Sequence, residues 1–227
     1  MTSGTEPAKA PPGQPALIPV PTRILTPDDD LTEVLKQQLK GRTRPGDVVA
    51  VASKVVSITQ GRILRPADVK PGPGLVAHVV SRFINQEGSL SSPYSLQAVI
   101  NEEGTLRVAL AFLVGSVSRV LFRRQGDFYR LAGYLARIID DVSGNLPPFD
   151  KHIVLAPDRP GKVVHDIKKA LGVDVAIIDA NDLGLAEVVA ATDGVDEGEL
   201  LEVFRRNPWG NTDQQIPIML VRKPAFG

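Results

Sequence analysis

Residues 152–180 read HIVLAPDRPGKVVHDIKKALGVDVAIIDA and contain the pattern that decides the fold. HIVLAP is typical of a strand, and VDVAIIDA is typical of a second, buried strand. Between them lies a segment with helical spacing that has Pro160 near its start and Gly172 at its end. This order predicts a β-α-β unit with two parallel strands. Ligands of open α/β sheets bind at the carboxyl ends of such strands, and Asp179 lies at one of those ends.

Six further segments have the spacing of helices or the composition of strands. Helical periodicity is present in LTEVLKQQLK (31–40), LVAHVVSRFINQ (75–86) and EGELLEVFRRN (197–207). Strands are predicted in GDVVAVASKVVS (46–57), in IPIMLVRK (216–223) and in RVALAFLVGSVSRVLF (107–122), which is apolar without a clear period. Together these elements predict an α+β (mixed α/β) fold with a C-terminal β-α-β unit.

The length of 227 residues fits one well-buried core or two small domains that share one. Residues 1–15, MTSGTEPAKAPPGQP, contain too little apolar area to offset the entropy of ordering, which predicts a disordered, proline-rich tail. We expect residues 16–227 to form a single domain, with room for a subdivision near residues 70–130.

Composition and motifs exclude several classes of protein. Lys and Arg total 26 and so do Asp and Glu, so no net charge attracts nucleic acid or an anionic membrane. No cysteine is present, which excludes disulfides, a thiolate nucleophile and a sulfur-based zinc site. The chain has no P-loop, no G-x-S-x-G elbow and no zinc-binding histidine spacing. Because no apolar run approaches the roughly 20 residues that span a bilayer, we expect a soluble, cytoplasmic protein without membrane or nucleic-acid partners.

Acidic side chains follow two apolar runs. Asp179 comes directly after VAII, with Asn181 and Asp182 close behind it, and Asp140 and Asp141 follow YLARII. Hard cations such as Mg²⁺ prefer carboxylate oxygens and leave room for phosphate. The two strand ends therefore predict a divalent-metal site that acts on phosphate groups. The alternative is that each aspartate caps a helix or forms a turn by accepting a backbone N–H.

With these residues in view, the chain resembles the coenzyme F420-0:L-glutamate ligase family, the gamma-glutamyl ligases of the deazaflavin coenzyme. The resemblance begins near Ile18, includes GDVVAVASKVVSITQGRI from Gly46 to Ile63, and resumes from about Ala132 to the closing IPIMLVRK. It implies a fold with mixed sheets, an intertwined homodimer, and an amide bond between L-glutamate and a deazaflavin-like or other carboxylate acceptor. It also implies GTP as co-substrate and Mg²⁺ or Mn²⁺ bound by aspartates.

The resemblance implies roles for particular residues. IDDVSG, from Ile139 to Gly144, is similar to the family segment Gly-Ile-Asp-x-Ser-Asn, which implies Asp141 as a metal ligand. The segment that starts at Asp179 is similar to the family's Asp-Thr-x-Gly, which implies Asp179 as a second ligand. The implied nucleotide contacts are Ser53, Lys54 and Ser57.

Departures from the family pattern keep other hypotheses open. Ile58 stands where family members have a lysine near the nucleotide. The Gly-Arg-Pro-Phe/Trp-Arg loop after the second aspartate is missing, as is an Asp-Leu-Tyr-Gly segment. The leading hypothesis is a divergent ligase. The second is a non-catalytic protein that binds nucleotide, metal or another small ligand on the retained fold, which Ile58 favours. The third is a structural subunit in which the aspartates are only caps.

Two segments have no counterpart in the family pattern. RRQGDFYRLAG (123–133) combines arginines with two aromatic residues, so Arg130 is a candidate phosphate contact. The favoured alternative there is a solvated basic helix edge with its aromatic residues in the core. NPWGNTDQQ (207–215) contains Trp209, a candidate for stacking on a flat ring, although the segment is also ordinary turn chemistry.

Overall fold

The computed structural model describes residues 15–84, 90, 92–123, 126–140, 147–180, 186–205, 208–209 and 216–223. The strands are β1 (Ala16–Val20), β2 (Val48–Ala52), β3 (Ile63–Leu64), β4 (Ile153–Val154), β5 (Asp174–Ala180), β6 (Ala186–Ala191) and β7 (Ile218–Arg222). The helices are α1 (Leu31–Leu39), α2 (Ser53–Thr59), α3 (Leu75–Phe83), α4 (Pro93–Glu103), α5 (Thr105–Phe122), α6 (Asp127–Ala132), α7 (Tyr134–Ile138), α8 (Pro160–Leu171) and α9 (Glu197–Phe204). A short 3-10 helix spans Pro66–Asp68.

The chain divides into two compact units. The first consists of Met1–Gly61 and Pro157–Gly227, and the second of Arg62–Ala156. The first unit contains a five-stranded sheet with the order β1-β7-β2-β5-β6. β2 and β5 are parallel, whereas the other neighbouring pairs are antiparallel. The predicted mixed α+β fold is therefore confirmed.

The central strands of this sheet are buried on both faces. Alternation along β2 and β5 sends successive side chains to opposite faces. One face packs against α1 and α8 through the side chains of Leu31, Leu35, Leu39, Val49, Val51, Val164, Ile167, Val175 and Ile177. The other face packs against α9 through the side chains of Val48, Ala50, Ala176, Ile178, Leu200, Phe204 and Trp209. This double burial explains why both strands read as nearly continuous apolar runs.

Local signals set the ends of the helices on this sheet. The Asp30 carboxylate accepts hydrogen bonds from the backbone N–H groups of Thr32, at 2.8 Å, and Glu33, at 3.2 Å, and so caps α1. Pro160 begins α8, where its missing N–H costs nothing, and Gly172 ends it in the left-handed conformation with φ of 73°. The predicted helices at 31–40 and 160–172 are confirmed to within a residue or two.

The second unit is mostly helical. β3 and β4 form a two-stranded antiparallel sheet, and helices α3 to α7 make up the rest of the described residues of this unit. α5 and α6 approach closely at Gly115, where an added Cβ would lie only 3.0 Å from the backbone nitrogen of Phe128. A larger residue at this position would force the two helices apart.

Two predicted elements are wrong. HIVLAP forms only the short β4, which pairs antiparallel with β3 in the second unit, so the predicted β-α-β unit does not exist. The parallel partner of β5 is instead β2, more than 100 residues earlier in the chain. Residues 107–122 lie in helix α5 rather than in a strand. This segment has no proline to interrupt a helix, and a helix that is apolar on most sides has no amphipathic period to detect.

Helix α5 also stands out by its length and hydropathy. Among the described residues, Thr105–Phe122 is the one helix long and apolar enough to cross a membrane by those two criteria, with a mean hydropathy of 1.6. Only 17% of this segment is buried in the structure.

Candidate functional site

Two of the predicted site residues meet at the carboxyl ends of neighbouring parallel strands. β2 and β5 run in register, with Ala52 opposite Ile178. The next residues in the chain are Ser53, which begins α2, and Asp179, which directly precedes Ala180 at the end of β5. The Ser53 hydroxyl donates a hydrogen bond of 2.6 Å to Oδ1 of Asp179. Ser53 is buried and Asp179 is half-buried. This contact therefore fixes one carboxylate oxygen at the carboxyl end of the β2–β5 strand pair.

The other two predicted nucleotide contacts lie on the short helix α2, which begins at Ser53 directly after β2. Ser57 follows one helical turn after Ser53 and is 1% exposed. Its hydroxyl makes no hydrogen bond to any residue that the structure describes. Lys54 is half-buried next to Ser53. One turn of helix therefore carries two buried hydroxyls and a lysine at the carboxyl end of β2.

A second carboxylate faces Asp179 across the strand pair. In the β5–β6 register, Asp179 is directly opposite Glu187. A bulge sets this pairing, because Ile177 pairs with Ala190 whereas Ile178 pairs with Val188, which leaves Val189 as an extra residue. Without the bulge, Val188 would stand opposite Asp179. Side chains directly opposite each other share a face of the sheet, so the bulge brings two acidic groups to the same face.

The donor set suits a hard divalent cation in kind. Ser53, Asp179 and Glu187 offer hydroxyl and carboxylate oxygens, which Mg²⁺ and Mn²⁺ prefer as ligands. Like charges placed directly opposite each other on a strand pair are destabilising, and a bound cation would offset that repulsion. In the part of the chain that the structure describes, no group of three or more His, Cys, Asp or Glu is arranged to hold a metal ion.

The remaining candidates near the two apolar runs are Asp140, Asp141, Asn181 and Asp182. Asp141, Asn181 and Asp182 lie outside the described residues. Asp140 belongs to the second unit, where its backbone exchanges hydrogen bonds of 2.9 and 3.0 Å with Val154. This bridge explains the position of the Asp140 backbone.

The two candidates without a family counterpart lie elsewhere. Arg130 is exposed on α6 in the second unit, next to the half-buried Tyr129, whose pKa is raised by burial. Phe128 on the same helix is buried and packs edge-on against the Tyr129 ring. Trp209 is 9% exposed in the core of the first unit, and its ring centre lies 4.6 Å from that of Phe204. The indole is therefore packed against a core side chain.

Sequence reasoning did not identify Glu187. Its position opposite Asp179 depends on the bulge at Val189, and no short-range pattern in AEVVAA marks an inserted residue. The structure also shows that Ile58 is 6% exposed and packed in the core on α2. Its side chain thus serves packing, and a lysine at this position would have to bury a charge.

Charged groups at the opposite end of β5 have a structural role. The Asp174 carboxylate accepts hydrogen bonds from the Lys168 ammonium group, at 2.6 Å, and from the Thr192 hydroxyl, at 2.7 Å. These contacts, with Lys168 as the larger cause, lower the pKa of Asp174. They connect α8 to the start of β5 and the end of β6.

Comparisons with known proteins agree with the resemblance seen in the sequence. A model of the family described as F420-0:Gamma-glutamyl ligase matches residues 19–197. A protein of Halorubrum lacusprofundi named coenzyme F420:L-glutamate ligase is 30% identical over 150 residues, which are 66% of this chain and 53% of that protein. A protein of the same name from Methanopyrus kandleri is 27% identical over 166 residues, which are 70% and 56% of the two chains. The chain thus spans about half the length of the curated relatives it matches.

Proposed function

Because the chain is a divergent member of the F420-0:Gamma-glutamyl ligase family, we propose that it joins an amino acid such as glutamate to a carboxylate-bearing acceptor at the expense of a nucleoside triphosphate. The observation that carries this proposal is the hydrogen bond between Ser53 and Asp179. It joins Ser53, which the family resemblance implies as a nucleotide contact, to Asp179, which the same resemblance implies as a metal ligand.

The chemistry of amide formation gives these residues their tasks. A carboxylate must first be activated, most simply as an acyl phosphate, before an amine can attack it. Mg²⁺ or Mn²⁺, when bound, would neutralise charge on the phosphate groups. Asp179 would hold the cation through its carboxylate group, whose Oδ1 accepts the hydrogen bond from Ser53. Glu187, on the same face, would supply a second carboxylate oxygen.

Residues 53–57, at the start of α2, would bind the nucleotide. Lys54 would contribute positive charge toward the phosphates of GTP. The buried Ser57 hydroxyl, which bonds to none of the described residues, favours a bound group at this side of α2. Asp141 remains a predicted second aspartate ligand on the basis of the family resemblance alone.

Nucleotide turnover tests the proposal. The purified protein is incubated with GTP or ATP, glutamate, a deazaflavin precursor, and either Mg²⁺ or Mn²⁺, and release of nucleoside diphosphate is measured. Asp179→Asn should abolish turnover, because an amide is a poor ligand for a hard cation. Ser53→Ala should lower turnover by about 10- to 100-fold, as expected when a supporting contact to a ligand is lost.

Asp166→Asn is the matched control for these variants. Asp166 is an exposed aspartate of α8 in the same unit, paired with Lys162 on the helix surface. This variant should keep the activity of the parent protein. If no nucleoside diphosphate is released with either metal and either nucleotide, the ligase proposal is wrong.

A non-catalytic ligand-binding protein is the second candidate, and the buried Ile58 favours it. Family members have a lysine at this position, and the structure puts the Ile58 side chain in the core. Calorimetry separates the two functions, since a binding protein would take up nucleotide and metal with a defined stoichiometry and release no product. An enzyme would consume the nucleotide in the same experiment.

The remaining features implied by the resemblance are part of the same proposal. They are a homodimer and a cytoplasmic location. Light scattering coupled to size-exclusion chromatography measures the mass of the particle directly, for comparison with the 24.4 kDa of one chain.

A further inference from the structure

The short helix α2 is joined at both of its ends to distant parts of the first unit. At its start, the Ser53 hydroxyl donates to Asp179. At its end, the Gln60 side chain exchanges two hydrogen bonds with the backbone of Asp158. Its Nε2 donates to the Asp158 carbonyl at 2.9 Å, and its Oε1 accepts from the Asp158 N–H at 2.8 Å. The two contacts span 126 and 98 positions of sequence, so neither follows from the local geometry of the helix.

Helix α2 depends on these two contacts for its exact position. It has seven residues, and helices shorter than about 12 residues are only marginally stable in isolation. No side chain of a described residue caps its first turn. Val56 is 1% exposed and packs in the core, but apolar contacts are non-directional and allow a helix to slide or rotate. Hydrogen bonds restrict both distance and angle, so the contacts at the two ends determine where the side chains of α2 point.

The contact at Gln60 acts on the turn of α2 that contains Ser57. Ser53, Ser57 and Gln60 follow one another at intervals of four and three residues, so they lie on one side of the helix. The backbone N–H of Gln60 donates to the carbonyl of Val56 at 3.1 Å and closes this last turn. Because the Ser57 hydroxyl bonds to no described residue, its position is set by the backbone that carries it. Holding Gln60 therefore holds Ser57.

The partner of Gln60 is a well-fixed part of the first unit. Asp158 lies two residues before Pro160, which begins α8. That helix is fixed in the core by Val164 and Ile167, which are 0% and 1% exposed. The Asp158 backbone therefore offers a stable donor and acceptor, and the Gln60 amide, which both donates and accepts, matches the two groups.

We propose that Gln60 is a positioning residue for the nucleotide. It fixes the last turn of α2 so that the Ser57 hydroxyl meets the bound nucleoside triphosphate, and it acts through Ser57 rather than by contact with the substrate. Without the two bonds to Asp158, the end of this short helix frays, and the nucleotide has to order it again on binding at a cost in affinity. The inference rests on the nucleotide site of the proposed function.

Steady-state kinetics of Gln60 variants tests the proposal. Gln60→Met keeps the length of the side chain and removes both bonds, so it should raise KM for GTP or ATP, whichever the parent protein uses, by about tenfold. The value of kcat should change much less, because a contact to the nucleotide is made in the ground state and the transition state alike. Gln60→Glu keeps the acceptor for the Asp158 N–H and loses only the donor, so its KM should rise less. Gln60 is exposed, and circular dichroism shows that each variant is folded.

A double-mutant cycle separates positioning from a general loss of stability. If Gln60 acts through Ser57, then Gln60→Met should raise KM by less than about twofold in a Ser57→Ala background. Asp174→Asn is the matched control, because it removes hydrogen bonds at the opposite end of β5 and should leave the nucleotide KM unchanged. The inference is overturned by an unchanged KM in Gln60→Met, by independent effects of the Ser57 and Gln60 substitutions, or by an equal rise in Asp174→Asn.

Calorimetry with GTP and ATP distinguishes a failure of this inference from a failure of the proposed function. If the parent protein binds a nucleotide without consuming it, the ligase activity is wrong, and the dissociation constants of the same variants take the place of KM. If the parent protein consumes nucleotide and Gln60→Met has the same KM and dissociation constant, only the role of Gln60 is wrong. If the parent protein binds neither nucleotide, both proposals are overturned.

Discussion

Asp174 is the carboxylate whose environment makes the clearest prediction about pH. Its pKa is lowered, first by the hydrogen bond from Lys168 and then by the one from Thr192. A folded-state pKa below the unfolded value of about 3.9 means that the unfolded chain takes up the proton first as the pH falls. The contribution of Asp174 to stability is thus fully present above that value, and it is lost as the pH drops through the folded-state pKa.

Asp174→Asn should therefore destabilise the protein in a pH-dependent manner. At neutral pH we expect a loss of about 1 kcal/mol, because both partners are partly exposed. The difference between the two proteins should shrink as the pH falls below about 4. Urea unfolding at a series of pH values measures it. Lys168→Met, which keeps the carboxylate but removes its main partner, should reduce the same pH dependence, and a difference that is constant with pH would contradict the assignment.

Gly194 shows how tightly this carboxylate is surrounded. A Cβ at position 194 would approach the Asp174 carboxylate to 2.2 Å, and that carboxylate cannot move without breaking its bonds to Lys168 and Thr192. The absence of a side chain is therefore a requirement of the network. The turn after β6 and the start of β5 are fitted to each other at this one position.

An ion pair joins β7 to the turn before β2. Arg222 donates two hydrogen bonds to Asp47, from Nε at 3.0 Å and from Nη2 at 2.8 Å. The Asp47 side chain is 2% exposed, so it is cut off from water. Asp47 also accepts a hydrogen bond from the backbone N–H of Arg44. The pair thus fixes where β2 begins relative to its antiparallel neighbour.

Breaking this ion pair on one side should be costly. Arg222→Leu leaves the buried Asp47 carboxylate without its cation, and we expect the free energy of unfolding to fall by about 3–5 kcal/mol. Lys223→Ala is the neighbouring control, since the Lys223–Glu199 pair is at the surface and should contribute about 0–1 kcal/mol. The double variant Arg222→Leu/Asp47→Leu should recover part of the loss in denaturant unfolding. Equal effects of Arg222→Leu and Lys223→Ala would mean that burial of Asp47 is unimportant.

The elements that local sequence predicts are those with local signals. Asp30, Pro160 and Gly172 mark the ends of α1 and α8, and the nearly continuous apolar runs of β2 and β5 mark strands. The pairing of strands cannot be predicted in this way, because it depends on residues far apart in the chain. β5 pairs in parallel with β2 and not with β4, and nothing within residues 152–180 indicates this.

The residues of the candidate site could be predicted from local sequence, whereas their contacts could not. Asp179 and Ser53 could each be identified as the residue after an apolar strand. That they share a hydrogen bond depends on the non-local pairing of β2 with β5, across 126 positions of sequence. Glu187 depends in addition on a single bulged residue, Val189, which has no sequence signature. Helix α5 escaped detection for another reason, because its exposed side is as apolar as its buried stripe.

The second compact unit interrupts the sequence of the first. All five strands of the main sheet, together with the Ser53–Asp179 contact, belong to the first unit. Within that unit the chain leaves at Gly61 and returns at Pro157. The side chain of Gln60 exchanges two hydrogen bonds with the backbone of Asp158, at 2.9 and 2.8 Å. The exit and the return are therefore adjacent, and residues 62–156 have the position of an insertion.

Replacing Arg62–Ala156 with a short glycine-serine linker should leave a protein that folds on its own. The sheet and both of its helical layers remain, and a short loop costs little closure entropy between ends that are already close. We expect a single cooperative thermal transition, detected by circular dichroism, and a further loss of stability when Gln60→Ala removes the two bonds that hold the ends together. Loss of cooperative unfolding in the shortened chain would show that the first unit depends on the second.

The shortened chain also tests whether Asp141 is a metal ligand, because it retains Asp179 and Glu187 but lacks Asp141. A cation that binds only the native state raises the free energy of unfolding by an amount set by its affinity, about 2.7 kcal/mol at 100 times the dissociation constant. If Asp141 contributes, Mn²⁺ should stabilise the full chain more than the shortened one, and Asp141→Asn should lower the response of the full chain to the same level. Equal stabilisation of all three proteins would assign the cation to the carboxylates of β5 and β6 alone.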